Sequence, residues 1–186
     1  MNLILASQSP RRKEILSSAG LVFEIVPSLY EEQVNGKEYS KELIENCAYQ
    51  KALDVKNKLG VDELIVSADT VVVNNGVILG KPKDKNEAVL MLSELSNKTH
   101  FVATSICLMH KRQTLKATAK TFVTFRDLSQ EDILNYIENF KPFDKAGSYG
   151  IQDEGFDFVV EVNGELANVI GFPLKLFKEQ LNLLVV

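Results

Sequence analysis

The run LIVSADTVVVNNGVIL at residues 64–79 constrains the fold more than any other stretch. Its first part, LIVSADTVVV, has the length and the β-branched, aliphatic content of a strand buried on both faces. Asn75-Gly76 then suits a two-residue turn in which both residues take positive φ, so Val77–Leu79 is expected to pair antiparallel with the strand before it. Asp69 interrupts the buried run, and an unpaired carboxylate there is too costly to keep charged. It must meet a metal ion, a cation or a catalytic water. A two-residue turn puts Lys81 opposite Thr70, and a shift of one residue puts it opposite Ala68, so either register brings this lysine near Asp69. A plain Asp69–Lys81 ion pair at a sheet end is the structural alternative to a functional role.

Elements of alternating type surround this strand. Strand Leu3–Ala6 leads to helix Pro10–Ala19, strand Phe23–Pro27, an acidic loop, and a helix from about Lys41 to Lys58 closed by Gly60. DKNE at 84–87 starts a helix to about Leu95, strands follow over about Phe101–Met109 and Lys116–Phe125, and a helix runs from after Ser129 to near Phe140. A loop, KPFDKAGSYGIQ, precedes a hairpin expected across Asn163-Gly164, and Pro173 opens a last helix. Hairpins mixed with helices favour a mixed-sheet α/β fold with α+β character over a purely parallel doubly wound sheet. No repeat or linker divides residues 1–186, so a single domain, with two lobes at most, is expected.

Lys and Arg total 21 against 25 Asp and Glu, a net charge of -4 that argues against a general binder of nucleic-acid polymers. Cys47 and Cys107 have no metal-ligand spacing and read as buried reduced thiols. The apolar stretch before SQSPRR is too short for a signal segment or membrane span, and no later run approaches span length, so a cytoplasmic protein is expected.

Two further features break the structural pattern, and two more stretches offer candidate ligands. In LASQSPRRKEIL, Ser9 reads as an N-cap and Pro10 as the first helical residue, yet Arg11 and Arg12 occupy the positive end of the helix dipole. Free N–H groups, Ser7, Ser9 and two guanidinium forks would make an anion site there, the alternative being two solvated arginines. Lys51 falls near the middle of the apolar stripe formed by Ile44, Cys47, Ala48, Ala52 and Val55, where it needs an anionic partner unless its stem snorkels to water. Glu32, in the acidic pair Glu31-Glu32, is a reasonable companion for Asp69 around a hard divalent cation that also takes substrate phosphates. In FDKAGSYGIQ, Gly147 and Gly150 permit close backbone approach, and Gln152 offers an amide that can read a base edge. His100, placed just before a strand, and His110, beside a hairpin tip, receive no chemistry. Together these residues ask for a ligand with several negative charges, held beside carboxylates that can hold a metal and activate water. A nucleoside triphosphate fits.

LASQSPRRKEIL, SADTVVVNNGVILGKPKD, FVTFRDLSQEDILNYI, PFDKAGSYGIQ and NVIGFPL resemble, in order and across almost the whole chain, the motifs of the Maf family of nucleotide pyrophosphatases. The resemblance implies a two-lobed fold with a central cleft, related to that of inosine triphosphate pyrophosphatases. It also implies metal-dependent hydrolysis of a nucleoside triphosphate to the monophosphate and pyrophosphate, with Mg²⁺ or Mn²⁺, in the cytoplasm. By the same resemblance Asp69 is the proton acceptor, and Ser7, Ser9, Arg11, Arg12, Lys51 and Lys81 hold phosphate. Glu32 matches an acidic active-site position, and Arg11, Thr70 and Gln152 match positions of substrate choice. The Arg-Arg, Asp-Thr and Ile-Gln combination resembles the branch acting on dTTP and UTP rather than on 7-methyl-GTP. Family analogy adds a homodimer. DEGFDF after Gln152 is more acidic than the family's usual continuation, and GELANVIG lacks an aromatic residue common there. The alternatives are a pyrophosphatase for non-standard purine nucleotides, 7-methyl-GTP or ITP-like, and a non-catalytic nucleotide-binding regulator of septation.

Overall fold

The computed structural model describes residues 2–60 and 62–184. Strand β3, Leu64–Asn74, lies inside a mixed sheet and is buried at every position except the half-buried Thr70. Its aliphatic residues serve both faces, as the apolar run requires. One edge of β3 pairs antiparallel with β5, Thr99–His110, from Ile65↔Met109 to Val73↔Phe101. The other edge is shared: β1, Leu3–Leu5, runs parallel to it at Leu64–Val66, and β4, Val77–Leu79, runs antiparallel at Val72–Asn74. With β2 (Glu24–Ile25), β6 (Gln113–Phe125) and β7 (Val159–Asn163), the strand order is β2-β1-β3-β5-β6-β7, β4 joining β3. Asn75 and Gly76 have φ of 50° and 80°, the left-handed pair that the hairpin demands.

Helix α2, Lys41–Leu59, covers one sheet face, capped by the Ser40 hydroxyl and ended by Gly60 in the left-handed conformation. Ala48, Ala52 and Val55 of α2 pack with Ile65, Cys107 and Met109, while Ile44 and Cys47 pack with Val71 and Val73. Both cysteines are buried and unbridged, and burial pushes the Cys47 thiol up to about 11 and that of Cys107 to about 12. Two separate groups of helices cover the opposite face. Helices α1 (Pro10–Ser18) and α6 (Leu174–Leu181) bury Leu16 and Phe177 with Ala68 and Ile106. Helices α3 (Lys85–Leu95) and α4 (Gln130–Phe140) bury Leu92, Leu95 and Ile137 with Val72, Val102 and Phe125. These two cores are the two lobes, and polar residues Thr70, Thr104 and Asn168 lie in the sheet region between them.

Three local expectations are corrected. Asn163-Gly164 is not a hairpin: β7 pairs with β6, and after Gly164 the chain enters the short helix α5, Leu166–Ile170. Gly164 has φ of 131°, outside the hairpin-turn range, and a Cβ there would stand 2.7 Å from Thr121 Oγ1, so this glycine serves a close approach between backbones. The strand expected over 23–27 shrinks to Glu24–Ile25, an exposed edge. His100 lies inside β5 and is buried, with Nε2 2.8 Å from the Tyr149 hydroxyl and its ring edge-on to Phe125.

Burial holds the His100 imidazole down to about 4, so it is neutral in the folded protein where the unfolded chain binds a proton. Its contribution is therefore present above the unfolded value of roughly 6.5 and lost as pH falls toward the folded value, on the order of 3 kcal/mol in all. Urea unfolding at pH 7.5 and pH 4.5 should show the wild type losing stability on acidification, and His100→Phe should lose less. An equal loss in both would remove His100 as a cause.

Candidate active site

The site arises where the shared edge of β3 divides. β1 leaves the sheet after Leu5, β4 ends at Leu79, and between their ladders residues 67–71 pair on the β5 side alone among the described strands. Both departing chains border the resulting cleft, the first through Ser7–Arg12 and the second through Gly80-Lys81. Strand alternation then sends Asp69 toward α2 and Thr70 toward the helices of the opposite face. The cleft encloses about 690 Å³, within the range of small-molecule sites, and Gln152 borders it as well.

On the α2 side, Lys51 Nζ donates to Asp69 Oδ1 at 2.5 Å and lies 3.3 Å from Glu32 Oε2. The Lys51 side chain is 11% exposed and that of Asp69 3%, so this lysine does not snorkel to water. Glu32 is partly buried, which raises its affinity for a proton, but the Lys51 and Lys81 ammonium groups prevail and hold its carboxyl at about 2. Lys81 does not reach Asp69. The ladder follows the two-residue-turn register as far as Val72↔Leu79, then β4 leaves the sheet where Asn35 Oδ1 accepts the Gly80 N–H, and Lys81 Nζ comes to 3.4 Å from Glu32 Oε1. The expected Asp69–Lys81 pair is thus an Asp69–Lys51 pair, with Glu32 linking the two lysines.

On the opposite side, Arg12 is fully engaged by the protein. Its Nε donates to the Gly171 carbonyl at 3.0 Å, Nη1 to Ser7 Oγ at 3.1 Å and Nη2 to Thr70 Oγ1 at 3.1 Å. Burial lowers its affinity for a proton, opposed by the Asp69 and Glu32 carboxylates. Ser9 caps α1 as expected, its Oγ accepting the Arg12 N–H, and the first turn of α1 holds no acidic residue. Arg11 reaches across the cleft, Nη1 donating to Asp144 Oδ2 at 2.9 Å. All of Ser7, Ser9, Arg11, Arg12, Glu32, Lys51, Asp69, Thr70, Lys81 and Gln152 border one cavity. The arginines are therefore neither solvated nor isolated. Sequence reasoning missed the Gly171 carbonyl, a backbone group with no side-chain signal, and assigned no role to Lys145, which borders the same cavity.

Asp69 Oδ2 is buried without a hydrogen-bond partner among the described residues, while Oδ1 is held by Lys51. A free oxygen on a carboxylate that borders the cleft, with a second carboxylate close by, fits a hard divalent cation that draws its other ligands from substrate phosphates and water. Among the described residues there is no cluster of three or more His, Cys, Asp or Glu side chains able to hold a metal by themselves. The same free oxygen fits a water whose proton is to be taken.

The chain matches the family described as Maf-like protein over residues 2–184. It is 44% identical over 172 residues to a Bacillus pumilus (strain SAFR-032) protein named dTTP/UTP pyrophosphatase, covering 92% of this chain and 90% of that one. A protein of the same name from Alkaliphilus oremlandii (strain OhILAs) is 45% identical over 174 residues, with the same coverage. A human protein named probable bifunctional dTTP/UTP pyrophosphatase/methyltransferase protein is 42% identical over 194 residues, covering 96% of this chain and 31% of its own length.

Proposed function

The chain belongs to the Maf family, and we propose that it hydrolyses dTTP and UTP to the nucleoside monophosphate and pyrophosphate. The observation that carries this reading is Asp69, a buried carboxylate with one oxygen fixed by Lys51 and the other unpartnered, at the foot of a cleft lined by cations. Asp69 accepts the proton of a water as the water oxygen bonds to the α-phosphorus. The bond from that phosphorus to the bridging oxygen breaks, and its electron pair leaves with pyrophosphate. Arg11, Arg12, Lys51 and Lys81, with the Ser7 and Ser9 hydroxyls, hold and neutralise the triphosphate, so that positioning and charge complementarity carry most of the rate. Glu32 and Asp69 would hold a divalent cation, Mg²⁺ or Mn²⁺, which when bound neutralises charge on the phosphate oxygens. Glu32 also links Lys51 to Lys81, keeping both ammonium groups at the cleft.

Base choice is assigned to Arg11, Thr70 and Gln152. Gln152 presents an amide that suits the O4/N3 edge of thymine or uracil, and Thr70 fixes the Arg12 fork through its hydroxyl. The two lobes share one sheet, which supports reading the chain as a single domain. No helix among the described residues is long and apolar enough to cross a membrane.

Pyrophosphate release from dTTP, UTP, 7-methyl-GTP and ITP, each with Mg²⁺, with Mn²⁺ and with chelator, tests the reading. Metal-dependent release from dTTP and UTP in preference to the purine nucleotides is expected. A purine preference would keep the phosphate site and overturn the base assignment, and binding without release from any of them would favour a nucleotide-binding regulator.

A further inference from the structure

Lys145 is a fifth cation bordering the cleft, in addition to Arg11, Arg12, Lys51 and Lys81. Its side chain is 13% exposed, much less than the 59% of Lys81. A long cationic side chain is seldom so enclosed unless its environment is built for it. Here that environment is specific. Asp153 Oδ2 lies 3.8 Å from Lys145 Nζ, and Asp153 is itself fixed by the Tyr136 hydroxyl, which donates to the same Oδ2 at 2.5 Å and accepts the Gly150 N–H at 2.8 Å. Gly150 leaves room for the arrangement, since a Cβ there would stand 2.8 Å from Lys145 Cε and from both Asp153 carboxylate oxygens. Asp144 Oδ1, on the exposed side, lies 3.3 Å from Nζ.

The direction of support matters. Lys145 and Asp144, whose Oδ1 accepts from Nζ, both border the cleft and Asp153 does not, so Asp153 and Tyr136 back the lysine from the side away from the cavity. The loop carrying Lys145 is tied to the loop carrying Lys81 by the Gly147 N–H, which donates to the Gly80 carbonyl at 3.0 Å. Gly147 has φ of 67° and packs where a Cβ would clash with Val72, and Ser148 beside it holds the left-handed conformation while fully buried. The loop that places Lys145 is thus packed against the sheet and tied to it by a backbone hydrogen bond.

We propose that Lys145 binds the polyphosphate chain of the substrate and that Asp153, braced by Tyr136, is its positioning residue. This rests on the proposed reaction for its substrate, but not for its chemistry: an ammonium group held from behind by a carboxylate presents its remaining protons to phosphate oxygens in any polyphosphate.

Calorimetric titration of the intact protein with inorganic tripolyphosphate, at fixed ionic strength, tests the inference. Lys145→Met should weaken binding by about tenfold and Lys145→Arg by less than about threefold, because a charge-assisted contact is lost in the first and kept in the second. Lys145→Gln replaces the Met variant if thermal melting shows that Met does not fold. Asp153→Asn should change tripolyphosphate affinity at least about threefold in the wild-type background and leave it unchanged when Lys145 is already Met, the coupling expected of a residue that acts through another. Unchanged affinity in folded Lys145→Met, or no tripolyphosphate binding by the wild type, would overturn the proposal. If the wild type binds tripolyphosphate through Lys145 yet hydrolyses neither dTTP nor UTP, the assigned reaction fails and the Lys145 site stands.

Discussion

Asp69→Asn should lower kcat for dTTP by about 10²–10⁴-fold, the range over which a positioned general base contributes, while the affinity for nucleotide stays within a few-fold. The substitution is nearly isosteric, and an amide oxygen can still accept from Lys51. What it removes is the capacity to take a proton on Oδ2, the carboxylate oxygen that has no hydrogen-bond partner among the described residues. It also removes one negative charge from a site meant for a triphosphate, so affinity should hold or rise. The separation is the point of the experiment. Single-turnover hydrolysis of dTTP gives the chemical step, and titration with a non-hydrolysable dTTP analogue gives the binding. A kcat within threefold of wild type would remove Asp69 from proton transfer, whereas parallel losses in rate and affinity would make it a structural support for the phosphate site.

Much of the fold could be read from the chain because its decisive signals are local. Asn75-Gly76 supplies two residues that tolerate positive φ between two strand-forming runs, and both hairpin strands follow from it. Ser9, Ser40 and Asp84 cap their helices, each with its side-chain oxygen accepting a backbone N–H, and Gly60 ends α2. The same dipeptide misleads at Asn163-Gly164, where a contact with Thr121, distant in the sequence, governs the conformation. No local rule contains that neighbour.

The site divides along the same line. Arg11 and Arg12 stand out against the helix dipole, Lys51 against the apolar stripe of α2 and Asp69 against its strand, each a violation visible within a few residues. Which cation meets which carboxylate depends instead on how α2 packs across β3 and on where β4 stops pairing. Extending the hairpin register past Leu79 assigned Lys81 to Asp69, but the ladder ends at that residue and Lys81 turns to Glu32. Lys51, 18 residues before Asp69 in sequence, is brought to it by packing alone. Lys145 received no role because nothing local distinguishes a lysine in a Gly-containing loop. Its significance comes from Asp153 and Tyr136, which only the folded chain brings together.

Lys51→Met should produce the largest loss of stability among single changes at the site, about 3–5 kcal/mol, the usual consequence of removing one partner from a buried ion pair. Met keeps most of the side-chain volume, so the effect is chiefly electrostatic. Without the ammonium group, Asp69 has a side chain 3% exposed and, among the described residues, no cation in contact with it, and Glu32 keeps the more exposed Lys81. Two further measurements separate this cause from lost packing. The double variant Lys51→Met/Asp69→Asn should regain a substantial part of the loss, since no unpaired buried charge remains, whereas a packing defect would leave it as unstable as Lys51→Met. The pH dependence gives the second. In the wild type Glu32 is held at about 2, so its contribution is present above the ordinary carboxylate value and is lost as pH falls toward 2. Removing Lys51 takes away the larger of the two attractions that lower it, so the variant has less to lose in acid. The stability gap between wild type and Lys51→Met, measured by urea unfolding, should therefore narrow between pH 7 and pH 3. A gap that stays constant, together with no recovery in the double variant, would mean that Lys51 supports the fold through its methylene stem rather than its charge.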